Sequence, residues 1–196
     1  MGMTFTELTP PARTAVPLRE FAAHLRMGSG FAEDGAEDAA LEMYLRAATA
    51  AIEARTGLAL ISRPVLLQVS AWALKDAQPV PMSPVLSVDE VALVDAGGAR
   101  DLVPAGDLRA SVGMRPPVIC PQSGNALPTI PRDGFAELRL TVGHGGDANA
   151  VPADLRQAVL LLASAYYEAR GRAEETGAAL PFGVLALLEP YRHIRI

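Results

Sequence analysis

The chain's 196 residues exceed one small domain and fall short of two full ones, and a composition half hydrophobic and 20% charged excludes a disordered chain and suits one domain with a sizeable insertion. A formal net charge of −5 lacks the clustered Lys and Arg on which affinity for a phosphate backbone rests, so direct DNA binding is not expected. The single cysteine, Cys120, has no partner for an internal disulfide, which suits synthesis in a reducing cytoplasm.

After a proline-containing leader, Pro17-Leu-Arg-Glu-Phe-Ala-Ala-His-Leu-Arg26 begins with proline at a helix-start position and sets Leu18, Phe21 and Leu25 on one face, predicting a short amphipathic helix. Beyond the Gly28-Ser29-Gly30 break, the carboxylates of Glu33, Asp34, Glu37 and Asp38 suit the positive end of a helix dipole and predict a second helix to about Thr56. Leu41, Tyr44 or Leu45, Ala48 and Ile52 repeat at helical spacing, and Gly57 stands where a C-terminal cap belongs. Asp38, Glu42, Arg46, Glu53 and Arg55 are expected to face outward. From Ile61 to Trp72, β-branched and large apolar residues in partial alternation predict a strand, with Pro64 near its start or on an edge.

Between Gln78 and Gly146, short strands are expected at Val85–Val94, Leu102–Val112, Val118–Cys120 and Phe135–Val142, with Asp95-Ala-Gly-Gly98 as a turn. Prolines at 79, 81, 84, 104, 116, 117, 121, 128 and 131 argue against long central strands and for much loop. Helix returns at Val151-Pro-Ala-Asp154 and runs to Arg170 before Gly171. Ala158–Ala165 is apolar on every side and must be enclosed, either by its own fold or by another subunit, which leaves Leu155, Val159, Leu162 and Tyr166 as core or inter-subunit residues. Its apolar stretch is half the length of a membrane span, and no membrane association is expected.

A polar link, 171–179, precedes a short apolar helix, Leu180–Leu188, ended by Pro190. The closing Tyr191, Arg192, His193, Ile194, Arg195 and Ile196 alternate as an extended strand does, and so apolar and basic an end in an acidic chain fits a partner that holds it by strand addition.

The residues offer little chemistry. Gly143-His144-Gly145-Gly146-Asp147 has the glycine-rich turn and histidine of an oxyanion site, but no Gly-x-Ser-x-Gly elbow supplies a nucleophile, and a flexible strand-to-helix loop accounts for it. His24, His144 and His193 are widely spaced, the acidic run Glu33–Glu42 reads as a solvated helix start, and neither a Walker loop nor a dinucleotide fingerprint occurs. No metal and no cofactor are therefore expected. An enzyme reading survives only as a small cytoplasmic hydrolase using His144 with Ser123 or Cys120.

Four features in this order resemble the head-to-tail connector, or adaptor, family of long-tailed bacteriophages and of phage-derived gene transfer agents: the helix Pro17–Arg26; the acidic-led helix ending in Ala54-Arg-Thr-Gly-Leu-Ala-Leu-Ile61; Pro81-Met-Ser-Pro-Val-Leu-Ser-Val-Asp-Glu-Val-Ala-Leu-Val-Asp95 with Gly97 and Gly98; and the ending Val151–Glu168, polar gap, Leu180–Arg192. The resemblance covers most of the chain. It implies a structural protein without enzymatic activity, made in the bacterial cytoplasm. It further implies a homo-oligomeric ring, commonly of twelve subunits, in the particle neck between the portal and a tail-side stopper or tail terminator protein, with DNA passing through the lumen without specific binding. By position in the family, Tyr191, Arg192, His193, Ile194, Arg195 and Ile196 would bind the portal. A stopper acting on the tail side alone is the alternative within the same neck.

The fold class expected is α+β: a small helical bundle made from residues 1–60 and 149–189, a β-rich insertion over 61–148, and an extended tail over 190–196.

Overall fold

A computed structural model of the chain describes residues 2–12, 15–25, 35–104, 106–111, 113, 116–124, 126–169 and 180–191, with backbone alone at 35–37. The fold is α+β, as expected, and divides into a sheet unit of residues 1–11 with 62–144 and a helical unit of 12–61 with 145–196. The chain enters the sheet unit twice, because the first residues form a strand rather than joining the helices.

That strand, β1 (Met3–Glu7), pairs antiparallel with β2 (Arg63–Val69), setting Phe5 opposite Leu67 and Glu7 opposite Val65. The rest of the large sheet comes from β4 (Val85–Val94), β5 (Arg100–Val103) and β8 (Phe135–Val142), in the order β1-β2-β8-β4-β5, all antiparallel. A smaller sheet is ordered β3 (Gln78–Pro79), β7 (Val118–Pro121), β6 (Leu108–Ala110). Alternation decides which face is buried: Val65, Leu67 and Val69 on β2 lie opposite Leu140, Leu138 and Ala136 on β8, and all six are almost wholly enclosed.

The strands expected at Val85–Val94 and Phe135–Val142 form with those bounds, and the many prolines leave them uninterrupted. The prolines stand at strand ends and in connections, so β4 runs ten residues and β8 eight through the middle of the large sheet, where neither contains a proline. Pro104 divides the expected strand Leu102–Val112 into β5 and β6. Pro64 is the second residue of β2, near the strand start as read. The Asp95-Ala-Gly-Gly98 turn is built by one carboxylate, whose Oδ1 accepts from the amides of Gly97 and Ala99 at 2.8 and 2.9 Å. Gly134, at the entry to β8, has room for no side chain: a Cβ there would run into the Val94 carbonyl oxygen and lie 3.2 Å from Asp95 Cα.

In the helical unit, α1 (Leu18–His24) and α2 (Gly35–Thr56) are followed, beyond the sheet unit's residues, by α3 (Ala153–Glu168) and α4 (Phe182–Leu188). Leu41, Leu45, Ala48 and Ile52 form the buried stripe of α2, as their spacing predicts. They share one core with Phe21, Leu155, Ala158, Val159, Leu162, Val184 and Leu188. Tyr44 meets Tyr167 edge to face, ring centres 5.8 Å apart, tying α2 to α3.

The end of α2 departs from the outward reading of Glu53. The residue is only 8% exposed, and Oε1 accepts the Leu60 amide at 2.7 Å. Around it, Gly57 takes φ +68° and donates to the Glu53 carbonyl, while the Thr56 hydroxyl donates to the Ile52 carbonyl and accepts from the Leu58 amide. These bonds turn the chain so that Leu58, Ala59, Leu60 and Ile61 are all buried. The Ala54–Ile61 segment is thus a helix stop followed by an apolar return.

Candidate functional site

The C-terminal end of the helical unit is where the sequence places a partner-binding segment, and it is built from α3 outward. Asp147 caps a 3-10 turn, Ala148–Ala150, by accepting the Asn149 amide, so the glycine-rich approach to α3 is ordered by its own carboxylate. Pro152 then occupies the N-cap position of α3, and Asp154 lies in its first turn. Leu155, Val159 and Leu162 are buried to within 4% of full enclosure, and Tyr166 is half-buried against the same core. The helical unit itself therefore encloses the apolar face of α3.

Pro181 starts α4, which packs along α3 with Val184 and Leu188 inward. Phe182, in contrast, is 86% exposed. The chain continues into a 3-10 turn, Glu189–Tyr191, so Pro190 and Tyr191 are helical in character. Tyr191 is half-buried against the core, and its hydroxyl donates to the Asp154 carboxylate, lying 2.9 and 2.8 Å from the two oxygens. Asp154 Oδ1 also accepts the Leu155 amide at 2.9 Å. Sequence reasoning gave Tyr191 to the tail and saw in Asp154 only a helix start; a bond between groups 37 residues apart has no local signature. Arg192, His193, Ile194, Arg195 and Ile196 lie outside the described residues.

A shallow pocket with a volume of only about 20 Å³, lined by Pro17, Thr49, Leu60, Ile61, Val151 and Val159 among others, opens on the helical unit. Its lining is mostly apolar, with Arg156 at its margin held by Glu20 at 3.8 Å and Asn149 at 3.3 Å. Nothing in it resembles a nucleophile beside a base.

The residues of the hydrolase reading fall on separate elements. Cys120 belongs to β7 of the small sheet and its thiol donates to the Arg109 carbonyl; Ser123 is exposed in the following turn; His144 follows β8 of the large sheet. Among the described residues, no group of three or more His, Cys, Asp or Glu side chains is placed to hold a metal. Of the acidic run, Glu42 pairs with Arg46 at 2.8 Å along the helix, whereas Glu33 and Asp34 lie outside the described residues. No described helix is long and apolar enough to cross a membrane.

The outer face of the large sheet carries a charge network instead of a site. Arg100 bridges Glu90 and Glu137 at 2.9 and 2.7 Å, Arg139 approaches Glu90 at 3.5 Å, and the Thr141 hydroxyl donates to Asp89 at 2.7 Å. The Arg100–Glu90, Arg139–Glu90 and Thr141–Asp89 pairs join neighbouring strands, while Arg100–Glu137 reaches across β4 from β5 to β8, an arrangement that supports register.

No family model and no curated protein matches the chain. Solved structures do. A chain in the neck of an empty GTA particle, determined with C6 symmetry, is 47% identical, with 98% of this chain and 97% of that chain covered and a TM-score of 0.87. A chain in the neck of a native GTA particle, determined with C12 symmetry, is 44% identical over the same shares, with a TM-score of 0.84. A chain in the virion of a native gene transfer agent particle is 47% identical over 98% and 97%, again with a TM-score of 0.84. Identity of this order along essentially the whole length covers both units and every element described above, and the chain belongs to the family of gene transfer agent neck proteins.

Proposed function

We propose that the chain is the head–tail adaptor of a gene transfer particle: a structural, non-catalytic subunit of a ring in the neck, joined to the portal on one side and to a stopper or tail terminator on the other. The observation that carries this reading is the full-length similarity to chains from gene transfer agent necks, two of them determined with sixfold or twelvefold symmetry. A cyclic assembly of twelve copies accords with both symmetries. DNA would pass through the lumen without specific binding, in keeping with the net charge of −5.

The portal-binding role falls to residues 192–196, which follow a helical unit that itself encloses the apolar residues Leu155, Val159 and Leu162 of α3. Their alternation and basic character suit strand addition to a less basic partner. The test is negative-stain imaging of the purified chain, alone and mixed with its cognate portal, with and without residues 192–196. Extra ring density on the portal that vanishes with the truncation is the expected result. Association with the tail-side protein but never with the portal would move the chain to the stopper position.

A further inference from the structure

We infer that Tyr191 is a latch rather than a portal contact, and that its hydrogen bond to Asp154 fixes the point from which residues 192–196 leave the helical unit. The inference rests on the adaptor reading above and assigns two positioning residues to it.

The geometry favours a latch on three grounds. The phenolic hydrogen is shared between both carboxylate oxygens, at 2.9 and 2.8 Å, a charge-assisted contact of the stronger kind. Its acceptor is anchored, because Asp154 sits in the first turn of α3 with its Oδ1 on the Leu155 amide, and Leu155 is wholly buried in the core. The positive end of the α3 dipole keeps a carboxylate favourable there. Finally, the Tyr191 ring rests on the core while Glu189 and Pro190 complete a 3-10 turn, so the last described residue is held from two directions. A group whose ring and hydroxyl are both engaged inside its own unit has little left to offer a partner.

The consequence is pre-organisation. Five residues reach at most about 17 Å when extended, so their target must lie close to Tyr191. Releasing the latch frees the turn Glu189–Tyr191 as well and lengthens the tether from five residues to eight. The portal would then have to order a turn that the intact chain supplies already ordered, a change on the scale of about two- to tenfold in affinity.

The experiment uses the full chain with Tyr191→Phe, Asp154→Ala, both together, and Asp154→Asn, which keeps an oxygen acceptor. Two readouts are taken: affinity for the purified portal, and the rate of tryptic cleavage after Arg192 in the free protein. Melting temperatures confirm that each variant folds. The latch predicts faster cleavage and about two- to tenfold weaker portal binding in Tyr191→Phe and in Asp154→Ala, no further loss in the double variant, and near-complete rescue by Asp154→Asn. A Tyr191→Phe chain with unchanged cleavage or unchanged affinity overturns it, as does an Asp154→Ala chain that binds normally while Tyr191→Phe does not, since that pattern makes the phenol a portal contact. If removing residues 192–196 leaves portal affinity intact, the adaptor-tail reading itself fails and the latch loses its role with it, whatever the cleavage rates.

Discussion

Replacing Glu53 with alanine tests the account of the α2 terminus most directly. Glu53 is 8% exposed, and its carboxylate accepts the amide of Leu60, a residue 1% exposed, at 2.7 Å. Removing the acceptor leaves a buried N–H without this bond, a loss of about 1–3 kcal/mol, against which the better helix propensity of alanine returns at most a few tenths. The expected cost is about 2 kcal/mol, or roughly 4–8 °C in melting temperature for a chain of this size. Glu53→Gln keeps an oxygen in place and exchanges a charge-assisted bond for a neutral one, so it should lose about half as much. Arg55→Ala, an exposed change one turn-end away, serves as control and should stay within about 0.5 kcal/mol. Urea unfolding followed by the helical signal at 222 nm measures all three. A Glu53→Ala midpoint indistinguishable from that of Arg55→Ala would refute the claim that this carboxylate holds the return of the chain.

Truncating Leu162, which is 1% exposed in the helical core, to alanine should cost about 2–5 kcal/mol, read as a lowered urea midpoint with an unchanged slope. Gly134→Ala should lower stability by more than about 2 kcal/mol, because its Cβ meets the backbone of the β4–β5 hairpin, which cannot give way as a side chain would; loss of hydrogen-exchange protection concentrated in β4 and β8 is the measurement. Asp95→Ala removes the acceptor of two backbone N–H hydrogen bonds in the same hairpin and should cost about 1 kcal/mol, with faster exchange at Gly97 and Ala99.

What the sequence made legible follows the range of the interaction responsible. The α2 stripe Leu41, Leu45, Ala48, Ile52 and the strands β4 and β8 were read within a residue or two, because side chains three or four apart, or two apart, report the period directly. Strand β1 was missed: all five of its residues are exposed or half-exposed, so burial imposes no alternation and only pairing with β2 makes it a strand. Glu53 was read as outward because a lone carboxylate in an alanine-rich helix usually is; its burial depends on an amide brought back by the Gly57 cap. The expected strand Leu102–Val112 failed for a related reason, since whether Pro104 ends a strand or lies beside one is a matter of topology.

The candidate site divides along the same line. Where α3 begins, and that its apolar stretch is enclosed, follow from local residue types, and the helical unit supplies the enclosure for Leu155, Val159 and Leu162. That Tyr191 belongs to this unit depends on Asp154, 37 residues earlier, and a reading based on alternation alone counted it with the residues that follow. The distinction has a functional edge. On the proposed adaptor reading, a terminal segment held only by its own extended preference would present a spread of exit directions, and a partner would have to select among them at a cost in affinity. On the inference drawn above, a turn held by Asp154 in the first turn of α3 would narrow that spread. In the proposed ring, a small gain per subunit would be multiplied around the contact.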